Sequence, residues 1–255
     1  MSPVEVKYDR CKMSIQHSPV NSLCSPIDGL NGYFKTYCSI KFIKMTRIYV
    51  DIDDVLADTC STLLRVSSSL FGFKKEKAQV TSFDMRVSLG LTAPQYDAYM
   101  AEFHRDANLL SIKPIPGAVE GLRCIQEAFD LQVYLVTGRP PFTHDATVQW
   151  LNRENFQFDH LLFVDKYSRY SEDVANNNAT SLQDLAHYNF ALAIEDSVTT
   201  VQFLANSLDT QSFVLTQPWN ESVRHRLSNN PKICWVDDWG DLETKILSFL
   251  NFLSI

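Results

Sequence analysis

Five short apolar runs recur along the chain, and each one ends directly on polar residues. They are RIYV at 47–50, QVYLV at 132–136, LLFV at 161–164, FALAI at 190–194 and SFVL at 212–215. Short, unbroken apolar runs are typical of strands that are buried on both faces of a parallel sheet. The runs therefore predict a parallel sheet at the centre of the fold.

Amphipathic helical patterns lie between the predicted strands. They occupy residues 117–129, 143–154, 198–206 and 238–250. In the first of them Val119, Leu122 and Ile125 form one apolar stripe, and Thr143 stands where the N-cap of the second belongs. Strands that alternate with helices predict a doubly wound α/β fold, in which ligands bind at the carboxyl ends of the strands.

The connection between the first two predicted strands is far longer than a simple crossover needs. We therefore predict a small helical cap, residues 59–113, inserted after the first strand of an α/β core made of 45–58 and 114–255. Residues 1–44 show loop signals and no sustained period, which predicts a poorly ordered N-terminal extension. Six aromatic residues of the cap could line a pocket or pack in the cap's own core: Phe71, Phe73, Phe83, Tyr96, Tyr99 and Phe103.

Charge and cysteine content narrow the class of protein. The net charge of −7 disfavours a general nucleic-acid binder, because such proteins present basic faces. Six scattered cysteines without a CxxC pair are expected to be free thiols in a reducing compartment. No apolar run is long enough to span a bilayer, and the first residues lack the apolar part of a secretory signal. We expect a cytoplasmic protein that acts on a small molecule, with no nucleic-acid or membrane partner.

The polar residues after the predicted strands carry the candidate chemistry. Asp51 and Asp53 stand two positions apart and are followed closely by Asp54 and Asp58. Adjacent carboxylates repel, which raises the pKa of one of them unless a cation compensates, so that one can attack while the other carries a proton. An Asx-turn that caps a helix would also explain an isolated Asp-x-Asp. We favour a catalytic site because the other strand ends carry polar groups too: Thr137-Gly138-Arg139, Asp165-Lys166, Glu195-Asp196 and Thr216-Gln217.

The order of these motifs resembles that of the haloacid dehalogenase-like superfamily. YVDIDDVLADT at 49–59 resembles its first motif, VTGR at 136–139 its second, Lys166 its third and AIEDS at 193–197 its fourth. Within the superfamily the chain is more similar to the 5′(3′)-deoxyribonucleotidase-like branch, the C-type 5′-nucleotidases. The segments DIDDVLAD, KPIPGAVEGLR and WVDDWGDL carry this second resemblance. Both resemblances imply a Rossmann-like core with a helical cap.

The resemblance also implies catalytic roles. Asp51 would be the nucleophile that forms an aspartyl-phosphate, and Asp53 would be the general acid and then the general base. Lys166 would supply a fixed positive charge to the phosphate and the nucleophile, a role that Arg139 or Arg169 could share. We expect anionic neighbours to raise the pKa of Asp53, so that its carboxyl carries a proton near neutral pH.

Substrate and metal ligands follow from the same resemblance. Thr137, Gly138 and Arg139 are the implied substrate-binding residues. Mg²⁺ is the implied cofactor, because it would relieve the repulsion between a carboxylate and a phosphate. Asp51 and Asp196 would bind the metal through their side chains and Asp53 through its main-chain carbonyl. Glu195 departs from the aspartate that is common at this position of the branch, and its longer side chain could hold a metal-bound water.

These implications predict a Mg²⁺-dependent phosphomonoesterase. We expect it to hydrolyse a small phosphate ester, most simply a nucleoside (deoxy)monophosphate, through an aspartyl-phosphate intermediate. Thr59 and the Thr137-Gly138-Arg139 turn both differ from animal deoxyribonucleotidases, and the turn is closer to that of bacterial and viral members. A sugar or other metabolite phosphatase, phosphoryl transfer to another acceptor, and a non-catalytic phosphate-binding protein remain open alternatives. Trp219 and the histidines are expected to have no catalytic part.

Overall fold

A computed structural model describes residues 46–253 of the chain, and a parallel β-sheet forms its centre. The strands are β1 (Thr46–Asp51), β2 (Leu131–Thr137), β3 (His160–Asp165), β4 (Thr180–Ser181), β5 (Leu192–Glu195), β6 (Gln211–Leu215) and β7 (Ile233–Val236). Their order in the sheet is β4-β3-β2-β1-β5-β6-β7, and every neighbouring pair is parallel. The predicted doubly wound α/β fold is confirmed.

Helices connect the strands and cover the sheet. The α-helices of the described residues are α1 (Thr59–Phe71), α2 (Met85–Leu89), α3 (Ala93–Phe103), α4 (Asp106–Leu110), α5 (Ala118–Ala128), α6 (His144–Arg153), α7 (Ser171–Ala175), α8 (Val198–Ser207), α9 (Glu221–Leu227) and α10 (Trp239–Leu253). Short 3₁₀ helices span Lys77–Gln79, Pro141–Thr143 and Gln183–Tyr188. None of the described helices combines the length and the apolar character that crossing a membrane requires.

Most predicted elements are present. The five predicted strands correspond to β1, β2, β3, β5 and β6, and the four helices that were predicted between them to α5, α6, α8 and α10. Thr143 occupies the N-cap position of α6, but its hydroxyl donates to the Pro140 carbonyl and does not cap the helix. Strands β4 and β7 were not predicted. They lie at the two edges of the sheet, and β4 has only two residues, both polar, so that its pairing depends on β3 and not on a local pattern.

Strand β1 lies at the point where the strand order reverses. It pairs with β2 on one side and with β5 on the other, so a crevice opens beside its carboxyl end. Successive side chains of β1 enter opposite cores, because strand side chains alternate between the two faces. Ile48 and Val50 belong to one hydrophobic cluster and Tyr49 to another, and all three are fully buried.

Helices α1 to α4 form the long connection that follows β1, in the segment predicted as a cap. The division into a core of 45–58 and 114–255 and a cap of 59–113 stays a prediction. The N-terminal extension predicted for 1–44 lies outside the described residues, as do Cys11, Cys24 and Cys38. The cysteines that the structure describes are free thiols, as expected: Cys60, Cys124 and Cys234.

Close packing of α5 against α10 supports the loop after β1. A Cβ atom at Gly121 of α5 would lie 2.7 Å from Cε3 of Trp239 in α10. Trp239 is buried, and its Nε1 donates a hydrogen bond of 2.8 Å to the Val55 carbonyl in that loop. Because Gly121 has no side chain, the Trp239 indole can pack closely against α5. In that position it bonds to the loop after β1, which carries candidate site residues.

We expect Gly121→Ala to lower the free energy of unfolding by about 1–3 kcal/mol, despite alanine's higher helix propensity, because the added methyl overpacks against the indole. Urea denaturation measures this change. Gly240→Ala is the matched control, since a Cβ there meets only a flexible Asp238 oxygen at 3.3 Å. We expect the control to change stability by less than about 0.5 kcal/mol. Equal losses in the two variants would contradict this packing argument.

Candidate active site

Acidic and basic side chains from three strand ends meet at the carboxyl edge of the sheet. Asp51 ends β1, Glu195 ends β5 with Asp196 directly after it, and Lys166 follows β3. The Lys166 ammonium lies 2.8 Å from Asp51 Oδ1 and 2.6 Å from Glu195 Oε1. All four side chains are buried, so Lys166 is a shared counter-ion of the cluster and not a solvated loop residue.

Burial and mutual repulsion govern ionisation in this cluster. Burial and the charge of Glu195 raise the pKa of the Asp51 carboxyl well above its ordinary value, and the same two causes raise the pKa of Asp196. Burial opposes the charged form of Lys166, but the carboxylates of Asp51 and Glu195 nevertheless hold its pKa above the ordinary value. One ammonium among three carboxylates leaves an excess of negative charge, which a divalent cation would offset.

The cluster fits a hard divalent metal ion. Carboxylate oxygens of Asp51, Glu195 and Asp196 lie within 4.8 Å of one another. Asp51 Oδ1 is buried and accepts no well-aligned hydrogen bond, so that its contact with Lys166 is an ion pair. An all-oxygen donor set of this kind suits Mg²⁺ or Ca²⁺. The predicted contribution of Asp53, through its main-chain carbonyl, stays a prediction.

Glu195 uses both of its oxygens for contacts within the protein. Oε1 accepts hydrogen bonds from Lys166 Nζ at 2.6 Å and from the Tyr49 hydroxyl at 3.0 Å. Oε2 accepts from the backbone amides of Asp196 and Ser197, both at 2.7 Å. A carboxylate has about four lone-pair sites, so these donors occupy all of them. Glu195 is therefore arranged to hold Lys166 and the start of the β5–α8 connection.

Asp53 is held as an ionised carboxylate. Arg139 donates to Asp53 Oδ1 through Nε at 3.0 Å and Nη2 at 2.7 Å, while Thr59 and Thr137 donate at 2.7 and 2.8 Å. Burial opposes ionisation, but the charge of Arg139 and these hydrogen bonds hold the pKa of Asp53 below its ordinary value. The expected rise in the pKa of Asp53 is therefore wrong for this arrangement. The Arg139 guanidinium lies beside this carboxyl, and its positive charge outweighs the effect of the acidic neighbours.

The three predicted substrate-binding residues have different positions. Gly138 and Arg139 line the pocket that Asp51, Asp53 and Lys166 also line. Thr137 is fully buried outside that lining; its hydroxyl donates to Asp53 and accepts from the Arg139 amide at 3.1 Å. Arg139 is 3% exposed and paired with Asp53, so its guanidinium is at the site but already engaged.

The remaining walls of the pocket combine aromatic side chains with aliphatic and polar ones. Phe83, Tyr96 and Phe103 of the predicted cap line it. Phe103 and Tyr99 are also buried in the hydrophobic core, against which Phe71, Phe73 and Tyr96 pack. Tyr167, Arg169 and Tyr170, which follow β3, also line the pocket. His104 also lines the pocket, and burial, aided by the charge of Arg139, lowers its pKa to about 4, so it is neutral at pH 7.

Two contributors to the site were missed in the sequence. Trp219 was expected to be purely structural, yet it lines the pocket and its Nε1 donates to Asp196 Oδ2 at 2.8 Å. Lys77 lies 3.1 Å from Asp58 and 3.3 Å from Asp54, with its ammonium 5.5 Å from the centre of the Trp219 indole. The QPWN turn at 217–220 hinted at Trp219, but no local signal marked Lys77.

Comparison with known proteins agrees with this geometry. The model of the family described as 5′ nucleotidase, deoxy (pyrimidine), cytosolic type C protein matches residues 44–188, more than half of the chain. None of the curated proteins matches.

Solved structures share the fold at low identity. A haloacid dehalogenase-like hydrolase from Streptococcus pneumoniae is 15% identical, with a TM-score of 0.55, and the match covers 81% of this chain and 98% of that one. A predicted phosphatase from Clostridium acetobutylicum is 17% identical, with a TM-score of 0.55, and the match covers 80% and 99%. With the family match, the fold and the acidic strand-end cluster, the chain belongs to the cytosolic type C 5′-nucleotidase family of haloacid dehalogenase-like hydrolases and is a phosphatase that acts on phosphoric monoesters.

Proposed function

We propose that the protein is a Mg²⁺-dependent nucleotidase that hydrolyses nucleoside (deoxy)monophosphates through an aspartyl-phosphate on Asp51. The observation that carries the proposal is the meeting of Asp51, Lys166 and Asp196 in one buried cluster beneath an aromatic pocket. The cytosolic type in the family's description supports a cytoplasmic location, which we also propose.

In the first step, an oxygen of Asp51 attacks phosphorus. A new oxygen–phosphorus bond forms, the bond to the leaving alcohol breaks, and Asp53 gives its proton to the leaving oxygen. In the second step, a water oxygen attacks the phosphorus, its proton passes to Asp53, and the bond from phosphorus to Asp51 breaks. Lys166 holds positive charge beside Asp51 in both steps, where negative charge develops on the phosphoryl oxygens.

The acid step requires a rearrangement around Asp53. In the present arrangement its carboxylate is ionised and paired with Arg139. An arriving phosphate offers Arg139 a second anionic partner that matches its planar guanidinium. We propose that Arg139 moves to a phosphate oxygen with the Gly138 amide beside it, which frees Asp53 to accept a proton and face the leaving group.

The neighbouring carboxylate oxygens of Asp51 and Asp196 support a bound Mg²⁺ ion. Asp51 and Asp196 would hold it by their side chains and Asp53 by its main-chain carbonyl. When bound, the ion would neutralise charge between the nucleophile and the phosphate. Glu195 has no free lone pair in this arrangement, so we propose that it orients Lys166 and does not bind the metal directly.

The aromatic wall supports a flat leaving group. Phe83, Tyr96, Tyr167 and Tyr170 line the pocket, and a nucleobase would stack on aromatic rings of this kind. The predicted cap contributes no lysine or arginine to the described pocket lining, and His104 is neutral at pH 7. The wall also carries hydrogen-bonding groups, among them Ser82, Asp84 and Arg169, so the case for a nucleoside depends on the stacking surface of the aromatic side chains.

A substrate panel tests the proposed function. Nucleoside 5′- and 3′-monophosphates are compared with sugar phosphates by kcat/KM in excess Mg²⁺. We expect the best nucleotide to exceed the best sugar phosphate by about tenfold or more, because stacking contacts are made only by the nucleotide. A sugar phosphate at the head of the panel would reassign the substrate, and no turnover of any ester would overturn the proposed activity.

Metal removal is a second test. We expect a chelator to abolish turnover, and Mg²⁺ at about 100 times its Kd to raise the free energy of unfolding by about 2.7 kcal/mol. Thermal denaturation with and without Mg²⁺ measures the change in stability. Asp196→Asn should lose most of this stabilisation, whereas Asp237→Asn, whose carboxylate is exposed and paired with Arg224, should keep it. Full activity in the chelator would contradict the metal assignment.

A further inference from the structure

Tyr49 is a core residue that contacts the buried cluster of Asp51, Lys166, Glu195 and Asp196. It precedes Asp51 by two positions on β1 and is fully buried. Its hydroxyl donates to Glu195 Oε1 at 3.0 Å, and the same oxygen accepts from Lys166 Nζ at 2.6 Å. In the sequence, Tyr49 is merely one apolar position of a predicted strand, and nothing there assigns it a role beyond packing.

The ring of Tyr49 contributes a second contact to the same ammonium. Lys166 Nζ lies 5.6 Å from the ring centroid, within the range of a cation–π interaction. The ring also packs edge-on against Phe190, with centroids 5.6 Å apart. The hydroxyl and the ring therefore both adjoin the pair formed by Lys166 and Glu195, and core packing restrains the ring.

The hydroxyl can act only as a donor to this pair. Its O–H is directed at Glu195 Oε1, and a carboxylate oxygen can only accept, so the phenol is the donor of this hydrogen bond. Glu195 Oε2 is already held by two backbone amides. The donation from Tyr49 therefore completes the set of contacts that determines where Glu195 Oε1 lies.

We infer that Tyr49 is a positioning residue for catalysis: through Glu195 Oε1 and its own ring, it holds the Lys166 ammonium next to Asp51. Without the hydroxyl, Oε1 would retain Lys166 as its only donor and could move with it away from Asp51. The inference rests on the proposed catalytic part of Lys166. Because Tyr49 does not line the pocket, its loss should lower kcat and leave KM almost unchanged.

Tyr49→Phe is the decisive variant, because it removes the hydroxyl and keeps the ring. We expect kcat for p-nitrophenyl phosphate in excess Mg²⁺ to fall about tenfold, as is typical when an outer contact of a catalytic site is lost. Tyr134→Phe is the matched control. Tyr134 pairs in register with Tyr49, is buried in the same cluster and donates to Gln132 at 3.2 Å, away from the acidic cluster. The control should keep its kcat.

A double-mutant cycle tests whether Tyr49 acts through Glu195. In a Glu195→Gln background, Tyr49→Phe should cause much less than its tenfold effect, since the shared contact is already altered. An unchanged kcat in Tyr49→Phe, an equal fall in Tyr134→Phe, or a full tenfold effect in the Glu195→Gln background would each overturn the inference. Where Glu195→Gln has no measurable activity, the two single variants decide. Absence of turnover by the unmodified protein would instead refute the proposed function.

Discussion

Asp51→Asn is expected to lower kcat for p-nitrophenyl phosphate by about 10⁴-fold or more, the scale seen when an attacking residue is removed. An amide of the same shape cannot form the bond to phosphorus that a carboxylate forms. The substitution also removes one carboxylate from a crowded acidic cluster, while Lys166 keeps its contact with Glu195 at 2.6 Å. We therefore expect the variant to fold and, in the absence of metal, to melt at or above the temperature of the unmodified protein.

The control for Asp51→Asn is a second aspartate at a strand end. Asp237 directly follows β7, but its carboxylate is largely exposed, pairs with Arg224 at 2.8 Å and is not part of the described pocket lining. Asp237→Asn should keep activity within about twofold, because exposed ion pairs contribute little. Steady-state rates and circular dichroism on both variants make the comparison. Substantial turnover by well-folded Asp51→Asn protein would remove Asp51 as the nucleophile.

Lys166→Met is expected to be among the most destabilising single substitutions in the chain. Lys166 is 6% exposed and bridges two buried carboxylates, so its loss leaves Asp51 and Glu195 without a counter-ion. Breaking a buried pair in this way costs about 3–5 kcal/mol. We expect this loss in the free energy of unfolding at pH 7 in chelator, together with loss of turnover.

The pH dependence and metal dependence of this loss are also predicted. The pKa of Asp51 is already raised by burial and by Glu195, and removing Lys166 raises it further. A carboxyl with a raised pKa favours the folded state at low pH and loses that contribution as the pH rises through the folded pKa. The deficit of Lys166→Met should therefore shrink as the pH falls from 7 to 5, and excess Mg²⁺ should recover part of it at pH 7.

Lys245→Met provides the comparison for Lys166→Met. Lys245 also pairs with a carboxylate at 2.8 Å, that of Asp241, but both side chains are more than one-third exposed. Water screens this pair, so we expect its loss to change stability by less than about 1 kcal/mol, with little dependence on pH or Mg²⁺. Urea denaturation of both variants decides the matter. Similar losses in the free energy of unfolding of the two variants would show that the buried Lys166 pairs stabilise the protein no more than an exposed pair does.

Local sequence patterns were sufficient for much of the fold. Runs such as QVYLV predicted the central strands because a strand buried on both faces must be apolar throughout, and this requirement is visible within a few residues. Strand β4, with two polar residues, shows no such pattern. The place of Asp51, Lys166 and Asp196 at strand ends was also predictable, since parallel strands bring their carboxyl ends to one edge.

The sequence by itself determined the parallel sheet and the identity of the acidic strand-end residues, because each depends on neighbours within a few positions. Only the tertiary structure decided which charge pairs with which. Arg139 pairs with Asp53, which lies 86 residues earlier in the sequence. Tyr49 donates a hydrogen bond to Glu195, which lies 146 residues later. Such pairings depend on strand order and side-chain reach, which leave no local period in the chain. For the same reason, the pKa of Asp53 is lowered where the acidic motif alone predicted a rise.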